Sequence, residues 1–278
     1  MIELTENEFD MVLDLLQQPK NIHNVFVYSV IEHKQQGKIF VNNKISPSAG
    51  LVMNEGGCYY VFGDVSDNVF NDSLIEYLSD PSNHVNFFDM YLSSNEWLEF
   101  LKRSLEGNVV QLKRTHYVLE EINKMVQDVE TPDGFKNKPI NGELFNKYKA
   151  QIDSSYSYLW GSSDKYLKNA FGFCLLKNDE FVSVCNTFYI GGKFIAPDII
   201  TLNEYRGRGL ATIVCSYFIK RSKELGLTPY WDCDAGNEAS NRLAQKLGFR
   251  KVGDVPILWW HENKKVIEKY LKKFNYVT

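Results

Sequence analysis

Asp198-Ile-Ile-Thr-Leu-Asn-Glu-Tyr-Arg-Gly-Arg-Gly-Leu-Ala211 passes from an apolar, β-branched run, through a turn with two glycines, straight into an amphipathic helix. Within 208–225 the apolar positions Ala211, Val214, Cys215, Phe218, Ile219 and Leu225 share one helix face, and Gly226 is placed to cap it. A strand, a glycine turn and a helix start in that order make an anion site. Gly207 and Gly209 let the backbone approach a ligand, free N–H groups of the first helical turn point at it, and the helix dipole favours negative charge there. Arg206 and Arg208 add positive charge, so a pyrophosphate fits. Competing phosphate motifs fail: no Lys-Ser/Thr follows a Walker spacing, and Thr212 stands where a Rossmann turn has its third glycine. ATP and NAD are therefore disfavoured. An ordinary strand-to-helix turn with exposed arginines is the alternative.

Upstream of this stretch the pattern predicts helices around Gly142–Ile152 and Asp164–Ala170, then strands Gly172–Leu176, Phe181–Tyr189 and Phe194–Thr201. Asn178-Asp179 and Gly191-Gly192 between those strands supply hairpin turns, so the three form a meander. Downstream, Pro229-Tyr-Trp-Asp-Cys233 reads as a strand, Ser240–Leu247 as a short helix ended by Gly248, and Phe249–Val252 and Ile257–Trp260 as the last strands. The tail from Lys264 to Phe274 alternates lysines with Val266, Ile267, Tyr270, Leu271 and Phe274 at helical spacing, a helix with a solvated lysine face.

The polar stretch 126–139, with two prolines and a glycine, has no helical or strand period and marks a boundary. Before it the reading is a helix at Glu6–Gln18, strands near Val25–Tyr28, Ile39–Val41, Gly50–Met53 and Tyr59–Gly63, and a helix at Ser73–Leu78. Strand Val85–Tyr91, helix Glu96–Leu105 and strand Val109–Leu119 complete it. The expectation is a mixed α/β (α+β) chain of two domains, 1–125 and 126–278, whose element orders are loosely similar without a clear sequence repeat.

A length of 278 residues suits two domains or one large one. With 44% hydrophobic and 24% charged residues a sizeable core can be buried, which excludes disorder and coiled coil. The net charge of −4 offers no global field for a polyanion, so no nucleic-acid partner is expected. The longest apolar stretches, such as Leu210–Phe218, are shorter than the roughly 20 residues a bilayer requires, so no membrane association is expected. An acidic start without an apolar h-region shows no export signal, and the expected location is cytoplasmic. The five cysteines (Cys58, Cys174, Cys185, Cys215, Cys233) are odd in number and form no C-x-x-C pair, so neither a disulfide framework nor a metal site is expected. His116 and His261 stand apart from any matching nucleophile and read as structural.

About 30 residues after the glycine turn comes Asn237-Glu-Ala-Ser-Asn-Arg-Leu-Ala-Gln-Lys-Leu-Gly-Phe249. Here the chain resembles the GNAT superfamily of N-acetyltransferases. Glu204-Tyr-Arg-Gly-Arg-Gly209 looks like a variant of their R/Q-x-x-G-x-G/A motif and the later segment like N-x-x-A/S…K-L-G-F, the resemblance covering roughly 142–260. Asp198-Ile-x-Thr201, Trp231-Asp-Cys233 and Leu243-Ala-Gln-Lys-Leu-Gly-Phe249, with a degenerate N-terminal half, further resemble the zwittermicin-resistance-type branch.

The resemblance implies a C-terminal mixed sheet in which two parallel strands, Phe194–Thr201 and Pro229–Cys233, splay apart around the pantetheine arm of acetyl-CoA, the co-substrate. Backbone groups of Ile200, Thr201 and Leu202 would pair with pantetheine, and the amides of Arg206, Gly207, Arg208, Gly209, Leu210, Ala211 and Thr212 would hold the pyrophosphate. Asn237 and Ser240 would reach the cofactor from the other side, although helix N-capping suits them equally. The implied reaction is direct attack of an amine of a small molecule on the thioester. Proximity supplies much of the rate, and a base removes the ammonium proton. Asp198 shares a face with Ile200 and is the first candidate base, with a strand-end structural role as its alternative. Asp232 and Asp234 compete for that role, or one binds the amine. Many family members place an acidic tyrosine where this chain has Ala244, so Tyr205, Tyr230 or water would protonate the thiolate, or it leaves unassisted. The N-terminal domain, lacking a glycine–arginine loop, would shape the substrate cleft. A non-catalytic CoA-binding or sensor module, favoured by Ala244, is the competing reading, and a phosphate-ligand protein unrelated to CoA is a third.

Overall fold

The computed structural model describes residues 1–16 and 24–276, and the apolar positions divide between two compact units. Along the chain the strands are β1 (Ile2–Glu3), β2 (Gly37–Val41), β3 (Ala49–Asn54), β4 (Cys58–Gly63), β5 (Phe87–Leu92), β6 (Val109–Val118), β7 (Lys136–Pro139), β8 (Gly172–Lys177), β9 (Glu180–Gly191), β10 (Phe194–Thr201), β11 (Thr228–Asp234) and β12 (Arg250–His261). The helices are α1 (Leu13–Leu16), α2 (Val25–Ile31), α3 (Asn68–Ser79), α4 (Asn95–Ser104), α5 (Lys124–Gln127), α6 (Gly142–Gln151), α7 (Tyr156–Trp160), α8 (Ser163–Asn169), α9 (Leu210–Glu224), α10 (Glu238–Lys246) and α11 (Lys264–Lys273).

The first unit takes in residues 1–114, 234–236 and those from Asp254 on. Its sheet runs β1-β2-β3-β4 antiparallel, then β5 parallel to β4, with β12 antiparallel to β5. Helices α3 and α4 are capped by Asp67 and Ser94 side chains. Phe70, Leu74 and Leu78 of α3 and Trp97, Leu98 and Leu101 of α4 share one core with Leu51, Val61, Phe88 and Met90 of the strands. Val25–Tyr28, expected as a strand, is the start of helix α2. An unbroken apolar run has no period to separate a buried strand from a buried helix, and here Val25, Phe26, Val27, Ser29, Val30 and Ile31 are all buried. The expected opening helix is a 3₁₀ run, Glu6–Val12, continued by α1, while Gln17 and Gln18 lie outside the described residues.

The second unit takes in 115–233 and 237–253, so the division falls elsewhere than the expected boundary at 125/126. Residues just after Arg114 are tied into this unit. His116 is hydrogen-bonded to Tyr230, the Tyr117 hydroxyl donates to Asn241 at 2.6 Å, and the Leu119 N–H donates to the Pro229 carbonyl at 3.0 Å. The sheet order is β7-β8-β9-β10-β11. The expected meander of β8, β9 and β10 is present, and Asn178 and Asp179 turn β8 into β9 at φ of 52° and 60°. Part of the stretch read as a linker is β7, an edge strand on β8. Lys136-Asn-Lys-Pro139 carries no apolar alternation because an edge of lysine and proline needs none, which hid it from the pattern. Helix α7 was not anticipated, and the two last expected strands are one, β12. On one face of the sheet α9 buries Leu210, Val214, Cys215, Phe218 and Ile219 over β8 and β9.

Candidate active site

β10 and β11 run parallel and pair at Phe194↔Thr228 and Ile195↔Pro229, where their ladder ends among the described residues. The sequence supplies the cause. Pro229 brings no N–H to the ladder, Pro197 brings none two residues after Ile195, and the β9–β10 register shifts between Ala196 and Pro197. Beyond that point β10 stays zipped to β9 through Thr201↔Ser183. The Leu202 N–H donates to the Val182 carbonyl at 3.0 Å, so by the alternation of an antiparallel ladder the backbone groups of Ile199 and Thr201 face the opposite, open side. Of the backbone groups of Ile200, Thr201 and Leu202 expected to face a cofactor, the Thr201 N–H is thus placed on the open edge. The Thr201 carbonyl already accepts from Arg206 Nε at 3.1 Å.

The turn after β10 has the form expected of an anion site. Gly207 and Gly209 both sit at φ 76°, the left-handed region, and a Cβ at either would meet nothing within 4 Å. Gly209 is the N-cap of α9 and offers no side chain to the first turn, so a helix of 15 residues begins uncapped beside exposed Arg206 and Arg208. Leu210 and Thr212 turn their side chains inward, which leaves the backbone amides of 210–212 as the groups that could hold a diphosphate. Arg208 leans over the Tyr205 ring, 5.4 Å from its centroid, and donates to the Glu204 carbonyl at 3.2 Å.

Asp198 lies on the opposite sheet face from α9, across from Asn186, and is partly buried under α6 and α7. The Tyr148 hydroxyl donates to its Oδ2 at 3.0 Å. Burial above all, and then the negative charge of Asp153, raise its pKa from 3.8 to about 6, while the Tyr148 hydrogen bond acts in the lowering direction. Tyr148 and Tyr156 are 1% and 0% exposed, cross edge-to-face at 4.8 Å, and belong to an aromatic cluster with Phe145, Trp160 and Tyr166. Burial and the Asp198 charge push both hydroxyls upward, so they are neutral donors at any working pH. None of these aromatic residues was singled out from the sequence. The density of tyrosines beside an acid in Tyr148…Asp153-Ser-Ser-Tyr156 was the available signal.

The remaining candidates separate. Asp232, on β11, is half-buried and tied by interactions of its own. Asp234 is buried, accepts from the hydroxyls of Tyr270 and Tyr276 at 2.9 and 3.1 Å and from the Gly236 N–H at 2.8 Å, and groups with the first unit. These bonds are those of a structural carboxylate. Asn237 caps α10, accepting from the Ser240 N–H at 3.2 Å, and the Ser240 hydroxyl accepts from Trp231 Nε1 at 3.0 Å. Ala244 is fully buried. Tyr230 is 1% exposed and engaged with His116, which removes it from reach of a thiolate, whereas Tyr205 is partly exposed.

A parallel strand pair that opens beside a partly buried acid, next to an uncapped glycine-led helix, is the framework of an acyltransferase. The chain belongs to the GNAT acetyltransferase family, whose sequence model matches residues 14–258. It is 30% identical over 234 residues to the uncharacterized N-acetyltransferase YdfB of Bacillus subtilis (strain 168), covering 84% of this chain and 89% of that protein. In fold it is similar to a GCN5-related N-acetyltransferase-like protein from Streptococcus suis 89/1591, with a TM-score of 0.74 at 19% identity over 92% of this chain and 99% of that one. A tandem GNAT protein from the clavulanic acid biosynthesis pathway gives a TM-score of 0.62 at 11% identity, over 94% and 98% of the two chains.

Proposed function

We propose that the protein transfers an acetyl group from acetyl-CoA to a primary amine of a small molecule by direct attack, with Asp198 as the base. The observation that carries this reading is the Asp198 carboxyl, raised to about 6 and set on the strand that leaves its parallel neighbour after Ile195. Such an acid is mostly ionised at neutral pH yet basic enough to take a proton from an ammonium group. In this reading the ammonium of the acceptor gives a proton to Asp198, and its nitrogen attacks the thioester carbonyl carbon. The N–C bond forms and the C–S bond breaks. Of the two protons nitrogen sheds, one ends on the CoA sulfur and the other returns to solvent through Asp198. The open edge of β10 at Ile199 and Thr201 fits the amide groups of pantetheine, and the amides of 207–212 with Arg206 and Arg208 fit the diphosphate. With Ala244 at the usual acid position and Tyr230 enclosed, Tyr205 or water is the proton source for the thiolate.

Buried Ala244 also favours a second reading, a CoA-binding module without turnover. Free-thiol release from acetyl-CoA with a panel of amines separates the two. Amine-dependent thiol release that Asp198→Asn suppresses supports catalysis. Tight acetyl-CoA binding without turnover on any amine supports the binding module.

A further inference from the structure

We propose that Tyr148 is a positioning residue of the acyl transfer, holding the Asp198 carboxylate by Oδ2 so that Oδ1 is the oxygen presented to the incoming amine, with Tyr156 as the second wall of the same cradle. The inference rests on the reading of Asp198 as the base. A carboxylate on a strand has freedom about its last torsion, and a base that turns away from its proton loses much of its worth, since misplacement by about 1 Å can cost about 10² in rate. Tyr148 removes that freedom. Its hydroxyl is 3.0 Å from Oδ2, and its ring is fixed by edge-to-face packing on Tyr156 and on Phe181 at 4.8 and 6.1 Å. The Tyr156 hydroxyl is buried beside Asp198, acts on its carboxyl in the same lowering direction as Tyr148, and feels Asp198 more strongly than any other charge.

Three titratable groups face Asp198 from the surrounding elements, Tyr148 on α6, Asp153 just beyond α6 and Tyr156 on α7, while the thiol of Cys185 on β9 points to the other sheet face, toward Cys215 of α9. Burial keeps the Cys185 thiol protonated, so Asp153 is the charge that opposes ionisation of Asp198, while the hydroxyls of Tyr148 and, more weakly, Tyr156 favour it. A hydroxyl that binds only the carboxylate form does two things at once: it aims the base and keeps it from becoming too weak an acid to ionise at neutral pH.

Tyr148→Phe keeps the ring and deletes the hydroxyl, and it is to be compared with Asp198→Asn and with the double variant. The expected kcat loss for Tyr148→Phe is about 10- to 100-fold, with the KM for acetyl-CoA nearly unchanged. The acidic limb of its pH profile moves upward, because the lost bond favoured the carboxylate. In the Asp198→Asn background the same substitution should change kcat hardly at all. A Tyr148→Phe enzyme with wild-type kcat and an unmoved acidic limb, alongside a crippled Asp198→Asn, overturns the positioning role and leaves the base in place. Wild-type activity and acidic limb in Asp198→Asn overturns the base, and this proposal with it. Should Tyr148→Phe fail to fold, Tyr156→Phe is measured in the same way. An upward shift of the acidic limb supports the cradle, and an unmoved limb refutes it.

Discussion

Asp198→Asn should make this protein more stable and less active, and the size of the gain follows from the raised pKa of the acid. The carboxyl is raised from 3.8 to about 6 in the folded chain. A carboxyl whose pKa is higher in the folded than in the unfolded state binds its proton more tightly when folded. Its contribution is therefore most favourable below about pH 4, where both states are protonated, and stability is lost as the pH rises through about 6. Two units at about 1.4 kcal/mol each put the cost of the charge near 3 kcal/mol at pH 8. Asparagine keeps the volume and an oxygen for Tyr148 but cannot ionise. At pH 8 the variant should melt roughly 6–12 °C above wild type, taking about 2–4 °C per kcal/mol for a unit of this size. At pH 4 the two proteins should melt together. The assay is thermal unfolding at pH 4, 6 and 8 with both proteins side by side, together with kcat/KM at neutral pH, which should fall by about 10²–10⁴. Equal melting at every pH, or a difference that does not change with pH, would refute the argument that Asp198 is held in the fold against its preferred charge state. A gain in stability with a loss of activity is the pattern of a residue strained for function.

Three further outcomes are expected. Gly209→Ala should fold, costing about 1–2 kcal/mol for a left-handed backbone since its Cβ meets no protein atom, and should raise the KM for acetyl-CoA while sparing the acidic limb of the pH profile. Asn237→Ala should lose about 1 kcal/mol of stability through its lost cap, whereas Asn237→Ser should keep both stability and acetyl-CoA affinity, measured by thermal melts and KM. Calorimetric titration of the full chain with acetyl-CoA should give one site, and a second would contradict a first unit whose β4–β5 ladder and α3 start are already filled.

The sequence was readable where local chemistry and tertiary structure ask for the same thing. The Asn178-Asp179 turn, the Gly207 and Gly209 turn and the buried face of α9 are each required by backbone conformation or by one-sided burial, and each appeared where expected. It was unreadable where burial is uniform or absent. Helix α2 is apolar all round and so has no period, and β7 is polar because it is an edge. Asp198 could be named as a candidate base from strand period together with the family resemblance, since it shares a face with Ile200. Its surroundings were not legible. Nothing in spacing links Tyr148, Tyr156 and Asp198, which only the fold of α6 and α7 over the sheet brings together. The hydrogen bonds of Asp234 were illegible for the related reason that its hydroxyl partners, Tyr270 and Tyr276, lie far along the chain.

The two units make an internal comparison that supports the proposal of a cofactor site in the second. Each has an antiparallel run of strands, a helix and a parallel strand: β4–α3–β5 in the first, β10–α9–β11 in the second. In the first, β4 and β5 pair from Cys58↔Asp89 through Val61↔Leu92, and the Ser93 N–H adds a bond to the Val61 carbonyl at 3.0 Å, so no edge is left for a ligand's amides. Its strand-to-helix turn is filled as well. A Cβ at Gly63 would come within 2.0 Å of the Ser48 carbonyl oxygen, Trp97 Nε1 donates to the Gly63 carbonyl at 2.9 Å, and the Asp67 carboxylate occupies the start of α3. That carboxylate satisfies the helix start with negative charge, which both takes the place of an anion and repels one. In the second unit two prolines stop the ladder, two glycines stand in open space, and no side chain caps the helix. The same order of elements thus gives a sealed sheet or an open edge, depending on a few residues at one turn and on where the backbone lacks an N–H.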